Sequence, residues 1–335
     1  MMHGSRLRAR LVRLTCALAA PLVATTCTSS DDCAAGNPLM PVCFDPSPAE
    51  PRLLFLRSPD ATWLRADIYL MNADGTNLKA VTTHGRAWSP TWSPDATHIA
   101  FAKFADNSDV LAEIYIVDAD GSNPRNISNR ANVLEYSPAW SPDGQRIVFQ
   151  SNRHDLTPNA CCETSLYVMN ADGSNVQRLT TNTDDAYPRW SPDGKTITFA
   201  SSRNGGAWQV FVMNPDGTNV RQLTTLKSNG KSVWSPDGTR LAFEVWRPAS
   251  GGGMDNGIYV MNADGSGQMR VSQTTATDMH PTWSSDGRDI FFCSNRAANG
   301  KMHLYTAPMS GGETRRVSGD LTEDCYPDFK PPRRP

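Results

Sequence analysis

From Pro51 onward, apolar and polar positions alternate in short bursts. Each stretch of roughly 40 to 50 residues holds four apolar runs of strand length divided by turn residues. In the stretch opening at Tyr187 the runs are "YPRW", "TITFAS", "WQVFVM" and "VRQLT". They are rich in Val, Ile, Phe, Tyr and Thr and carry no i, i+3, i+4 periodicity, so the pattern predicts strands and no helices. The template recurs: "SPAWSPDGQRIVFQSNR" from Ser137, "YPRWSPDGKTITFASSR" from Tyr187 and "HPTWSSDGRDIFFCSNR" from His280 are variants of one unit. Trp92, Trp140, Trp190, Trp234 and Trp283 close the first strand of successive units at intervals of 44 to 50 residues, and Phe329 takes the next place. Four antiparallel strands repeated at this period describe the blades of a β-propeller.

The turns supply the local mechanism. In "SPDG", Pro presets the second position and Gly takes the left-handed conformation that closes the hairpin. "NADG" at Asn72, Asn170 and Asn262 and "NPDG" at Asn214 join third to fourth strands in the same way. The unit of Trp92 reads "SPDA", and because Ala96 would be strained in that conformation its turn is expected to be altered. The repeat enters with "RLLFLRS", "DIYLMNADG" and "LKAVTT", strands two to four without a first, and leaves with "DCYPDFKPP", a first strand alone. The last strand therefore completes the first blade and hides the sheet edges. The expected fold is all-β: a six-bladed β-propeller of four-stranded antiparallel blades, spanning 51–335 and closed by its C-terminal strand.

The motifs "P.WSPDG..I.F.S.R" and "IYVMNADGS" resemble those of the TolB-type β-propeller repeat, over essentially residues 51 to 329. The resemblance implies the fold. For function it implies either a periplasmic binding protein or a substrate-gating domain, the two settings in which such propellers occur. The family's namesake also carries an N-terminal α/β domain, for which residues 28–50 leave no room.

Ahead of the repeat, Arg6, Arg8, Arg10 and Arg13 precede the apolar run "LTCALAAPLVATT". That run is short of the ~20 residues that span a bilayer, and with its basic prelude it reads as an export signal over residues 1–26. Cys27 directly after it is a candidate for lipid attachment, and residues 27–50 read as a Pro-rich linker. Losing four arginines and no acids takes the formal charge from -2 to -6, which argues against nucleic acid as a partner. Cys33, Cys43, Cys161, Cys162, Cys293 and Cys325 form an even set in an exported chain, as a disulfide framework would. Spacing alone leaves the pairing open. Cys33 with Cys43 is the preferred local pair, and Cys293 with Cys325 would lock the closing strand to the sixth blade.

Function belongs at the end of the propeller opposite the tight turns, where the connections are long: "KFADNSDVLAE" from Lys103, "NRHDLTPNACCETS" from Asn152 and "RPASGGGMDNG" from Arg247. Five residues before the Trp position the units read Ala87, Glu135, Asp185, Asn229, Asp278 and Asp324, with Asp184 and Glu323 beside them. A ring of carboxylates at a funnel rim would attract cations, basic peptides or a hard metal such as calcium. Against this stands a structural reading. Arg153, Arg203, Arg247 and Arg296 end the second strands of blades three to six near the same level and would pair with the acids, whereas the first two blades show no equivalent.

"DADGSN" at Asp118 lacks the spacing of a calcium loop and reads as a hairpin turn. Trp88, Trp208 and Trp246 stand off the repeated Trp position and are candidates for exposure. G-x-S-x-G, H-E-x-x-H and G-x-x-x-x-G-K are all absent, and His280, beside Asp278, is the one histidine placed at the channel. The expectation is an exported, monomeric, non-enzymatic binding protein of a Gram-negative envelope. Its site would be a funnel rim of Glu135, Asp184, Asp185, Asp278, His280, Glu323 and Asp324, and its ligand a protein or peptide. The alternative is a carbohydrate-active or carbohydrate-binding propeller holding a metal in the central funnel.

Overall fold

The computed structural model describes residues 53–331 apart from 61, 84, 107, 155–162, 182–183, 226–227, 247–255, 273–275, 311 and 320–321. The export signal, Cys27, Cys33, Cys43, Cys161, Cys162 and Arg247 lie outside the described residues, as do most of the loops from Asn152 and Arg247.

Six four-stranded antiparallel sheets form the six blades. Ala87–Trp92, Glu135–Trp140, Asp185–Trp190, Ser228–Trp234 and Asp278–Trp283 open blades two to six, and each packs against its neighbours around a central channel. The first blade takes Leu53–Ser58, Asp67–Met71 and Lys79–Ala80 from one end of the propeller and Glu323–Phe329 from the other. The ring thus closes as the strand count requires, with Leu53 opposite Phe329 and Arg57 opposite Asp324. The Cys293–Cys325 disulfide, with Cα atoms 5.1 Å apart, ties this closing strand to the sixth blade.

The second strands are buried on both faces because they lie in the middle of each sheet and blades stack on either side: Arg146–Ser151, Ile197–Ser201 and Asp289–Ser294 are buried at every position except the opening Arg146 and Asp289. In every blade a second-strand Phe meets a third-strand aromatic, as in Phe149 with Tyr167 and Phe199 with Phe211, at 5.9 and 5.7 Å between ring centroids. Each blade thus carries its own aromatic pair across its two middle strands.

The SPDG turns are sealed by their own side chains. Ser141 donates to Asp143, whose carboxylate accepts the Gln145 amide, and Gly144 sits at φ 71°. Ala96 does not alter its turn. It adopts φ 59° and donates its N–H to the Ser93 carbonyl at 2.9 Å, as Gly144 does to Ser141. The side chains of Ser93 and Asp95 hold the geometry, so the turn keeps its shape at a cost of about 1–2 kcal/mol.

Candidate functional site

Every inner strand except that of blade five carries a left-handed residue at its bulge, at Ser89, Ser137, Tyr187, His280 and Tyr326. In each case proline follows, which has no N–H to contribute to a ladder that the bulge interrupts. The bulge separates two levels of the channel wall. At its outer end lie the residues expected to form a ring; past it, side chains two residues apart share the channel face.

The ring residues do not line a solvent-filled rim. Glu135, Asp185, Asp278 and Asp324 are fully buried, and each meets an arginine. Arg153 grips Glu135, Arg203 lies 2.8 Å from Asp185, and Arg296 lies 2.9 Å from Asp278. The first blade also has its arginine: Arg57 reaches Asp324 at 2.7 Å. It escaped the sequence comparison because it stands on the second strand directly opposite its acid, whereas the other three lie two residues beyond that position. All four guanidinium groups sit over the aromatic pair of their own blade, between 4.8 and 5.3 Å from the ring centroids. Beside the ring, half-buried Asp184 accepts from the Ser202 hydroxyl at 2.8 Å, and Glu323 accepts the Met302 amide at 2.6 Å. Ala87 faces Lys103 with no acid between them.

Further charged groups lie buried deeper. The Glu244 carboxylate accepts the His280 amide at 2.6 Å and the Trp246 indole N–H at 3.1 Å. The imidazole of His280 stacks on Tyr326 at 3.7 Å, and Lys231 lies 5.7 Å from that same ring. Burial pushes Glu244 up to about 7, and burial together with the positive charge of Arg189 brings Lys231 down to about 7. His280 is held well below its ordinary value by burial and by the charges of Lys231 and Arg189, so it is neutral.

One level further, Arg189 on the fourth blade and Asp328 on the first stand on opposite sides of the ring. Arg189 donates to the Pro138 carbonyl at 3.1 Å, and Asp328 accepts from the Thr91 hydroxyl and the Trp92 amide at 3.0 and 2.9 Å. Both line a cavity of 270 Å³ at the turn-side mouth, walled by the repeated Trp and Pro residues of the SPDG turns. The repeated tryptophans thus shape a channel mouth as well as packing between blades. Among the described residues no group of three or more His, Cys, Asp or Glu converges as metal ligands would. Of the off-repeat tryptophans, Trp88, Trp208 and Trp246 are half-buried, and Trp88 packs against Trp63, Phe104 and Tyr326.

Sequence reasoning put His280 at the channel but passed over Lys231, Glu244, Arg189 and Asp328. The signal was available. Arg189 and Asp328 each precede the Trp position by one residue and Lys231 by three, where alternation assigns side chains to the channel face.

Residues 50–246 and 227–332 match the family model described as the TolB beta propeller domain. The Tol-Pal system protein TolB of Geobacter metallireducens is 71% identical over 28 residues, which is 8% of this chain and 6% of that protein's length. The crystal structure of TolB from Acinetobacter baumannii superposes with a TM-score of 0.70 at 23% identity, covering 84% of this chain and 67% of that one. A putative TolB from Agrobacterium tumefaciens gives 0.59 at 20% identity, over 84% and 92% of the two chains. An oligogalacturonate lyase in complex with manganese gives 0.54 at 18% identity, over 76% and 70%. At these identities the superpositions speak for the shared fold.

Proposed function

The chain belongs to the TolB beta propeller family, and from that premise we propose that it is an exported binding protein of a Gram-negative envelope, periplasmic or held to the outer membrane by a lipid on Cys27, whose channel receives a segment of a protein or peptide partner. One observation carries this reading. Arg189 and Asp328 line the channel mouth, and Lys231 and Glu244 lie buried one level away, near enough for the charges to act on one another. Buried ionisable groups cost stability unless paired, and their gathering in a channel is a mark of a binding site. The ring carboxylates, each with its arginine, supply rigidity beneath the long loops.

The carbohydrate-active alternative would need a metal in the funnel. His280 is the histidine there; its ring stacks on Tyr326 with Nδ1 3.3 Å from Glu244, and among the described residues no group of three or more His, Cys, Asp or Glu forms a metal-like cluster. One histidine and one carboxylate are a sparse donor set, which favours the binding reading over the metal-dependent one.

The test is affinity capture from detergent-solubilised envelope, with the mature protein and its Arg189→Met and Lys231→Met variants as baits. A protein retained by the first and lost from equally folded variants is the expected result. Identical recoveries from all three would sink the channel reading.

A further inference from the structure

Blade two breaks the repeat. Where four blades hold a carboxylate clasped by arginine, it has Ala87, and a second cavity of 240 Å³ opens beside it, lined by Trp63, Leu64, Arg86, Trp88 and Phe104, with Thr62 and Asp109 as its further polar residues. Trp63 and Phe104 both stand edge-on to Trp88, at 6.3 and 6.1 Å between ring centroids and 86° between planes, and Leu64 is 44% exposed at the rim. Arg86 donates through one terminal nitrogen to the Ser108 carbonyl at 2.7 Å and to Asp109 at 2.6 Å, but its buried Nε–H has no acceptor among the described residues. Trp63 and Arg86 sit at φ 60° and 67°. Bulky residues in that conformation cost about 1–2 kcal/mol each and gather where a site must be shaped.

We propose that this cavity is a docking pocket for one apolar side chain of a peptide, aromatic or leucine-sized, whose backbone carbonyl accepts from Arg86 Nε. At 240 Å³ it is smaller than the roughly 300–1,000 Å³ clefts that enclose a whole small ligand, so it takes a single side chain. The three rings and Leu64 give an apolar box, and the orphan donor asks for an acceptor directly adjacent to an apolar group, which is what an amino-acid residue presents. A sugar would press most of its hydroxyls against Leu64, Phe104 and Trp88, with Thr62, Arg86 and Asp109 alone in the lining to meet the rest. The pocket lies on the long-loop side, away from Arg189 and Asp328, and it rests on the peptide-binding reading only for the nature of its occupant.

The test titrates ¹⁵N-labelled protein with N-acetyl-phenylalaninamide, N-acetyl-leucinamide and methyl glucoside, following the indole N–H resonances. Saturable shifts at Trp63 and Trp88 with the capped amino acids are expected, weakened about tenfold or more in Trp63→Ala and in Arg86→Met, with melting temperatures close to that of the parent. Trp63 is half-buried against two clusters of core residues, so each variant is first shown by circular dichroism to be folded before it is titrated. The proposal is overturned by an absence of saturable shifts, by shifts that survive both substitutions, or by glucoside binding as tightly as the amides. If the capped amino acids bind while envelope capture fails, the pocket stands and the channel reading falls; the reverse result removes the pocket alone.

Discussion

Arg57 and Asp324, 267 residues apart, face each other across the seam where the two ends of the propeller meet, with two parallel N–H donations at 2.7 and 2.9 Å. The carboxylate is fully buried and the guanidinium nearly so. Removing one partner strands the other in a low-dielectric site, so Arg57→Met or Asp324→Asn is expected to lower stability by about 3–5 kcal/mol. Urea unfolding checks this. The double variant should lose less than the two singles together, because it leaves no stranded charge.

The disulfide guards the same seam. Cys293 and Cys325 stand 32 positions apart in sequence, and the chain-entropy argument puts the contribution of such a loop at about 3–4 kcal/mol. The Cys293→Ala, Cys325→Ala double variant, or the wild-type protein under reductant, is expected to unfold at lower denaturant concentration by that amount. No change in midpoint would mean the ladder between Leu53–Ser58 and Glu323–Phe329 holds the ring unaided.

Two small-residue substitutions should move stability in opposite directions. Ala96→Gly relieves a left-handed alanine and is expected to stabilise by about 1 kcal/mol, after allowing for the greater freedom of glycine in the unfolded chain. Gly173→Ala would put a methyl carbon 1.9 Å from the Ile127 carbonyl oxygen of the preceding blade, at φ 90°, and is expected to cost more than about 2 kcal/mol. Thermal melts of both variants decide the signs.

Lys231 and Glu244 set a pH dependence. Between Glu244's ordinary 4.5 and its folded value of about 7, the folded chain holds a proton that the unfolded chain has lost, so this group's contribution to stability falls as pH rises. Between about 7 and the ordinary 10.5 of lysine, the unfolded chain holds a proton that folded Lys231 lacks, so its contribution rises with pH. Together they place a dip in stability near neutrality. Unfolding free energies measured from pH 4 to 10 should show it; Glu244→Gln should flatten the acid limb and Lys231→Met the alkaline one. A wild-type profile without a dip would contradict the burial of this pair.

Blade number, strand order and closure were legible because each unit repeats one template and every turn declares itself. What escaped were departures from the template. Arg57 stands two residues off the position held by Arg153, Arg203 and Arg296 yet reaches the same kind of acid, because a guanidinium on a long flexible stem covers that difference. Ala96 keeps its turn because Ser93 and Asp95 hold it, which a rule about glycine alone does not capture. The channel charges were hidden by reading each unit for its sameness. Arg189 and Asp328 share one position with Thr91, Ala139, Val233 and Thr282, and only the comparison of unlike residues at that position reveals a polarised channel.

Leu53 and Phe329 are register partners on adjacent strands. In space, then, the propeller has no first blade, and its starting point is a convention of the gene. A circular permutant joined by a short linker across that seam and opened instead at the exposed tip near Gly205 and Gly206, where nothing lies within 4 Å, would keep every sheet and shift the covalent break to a blade that has never carried it.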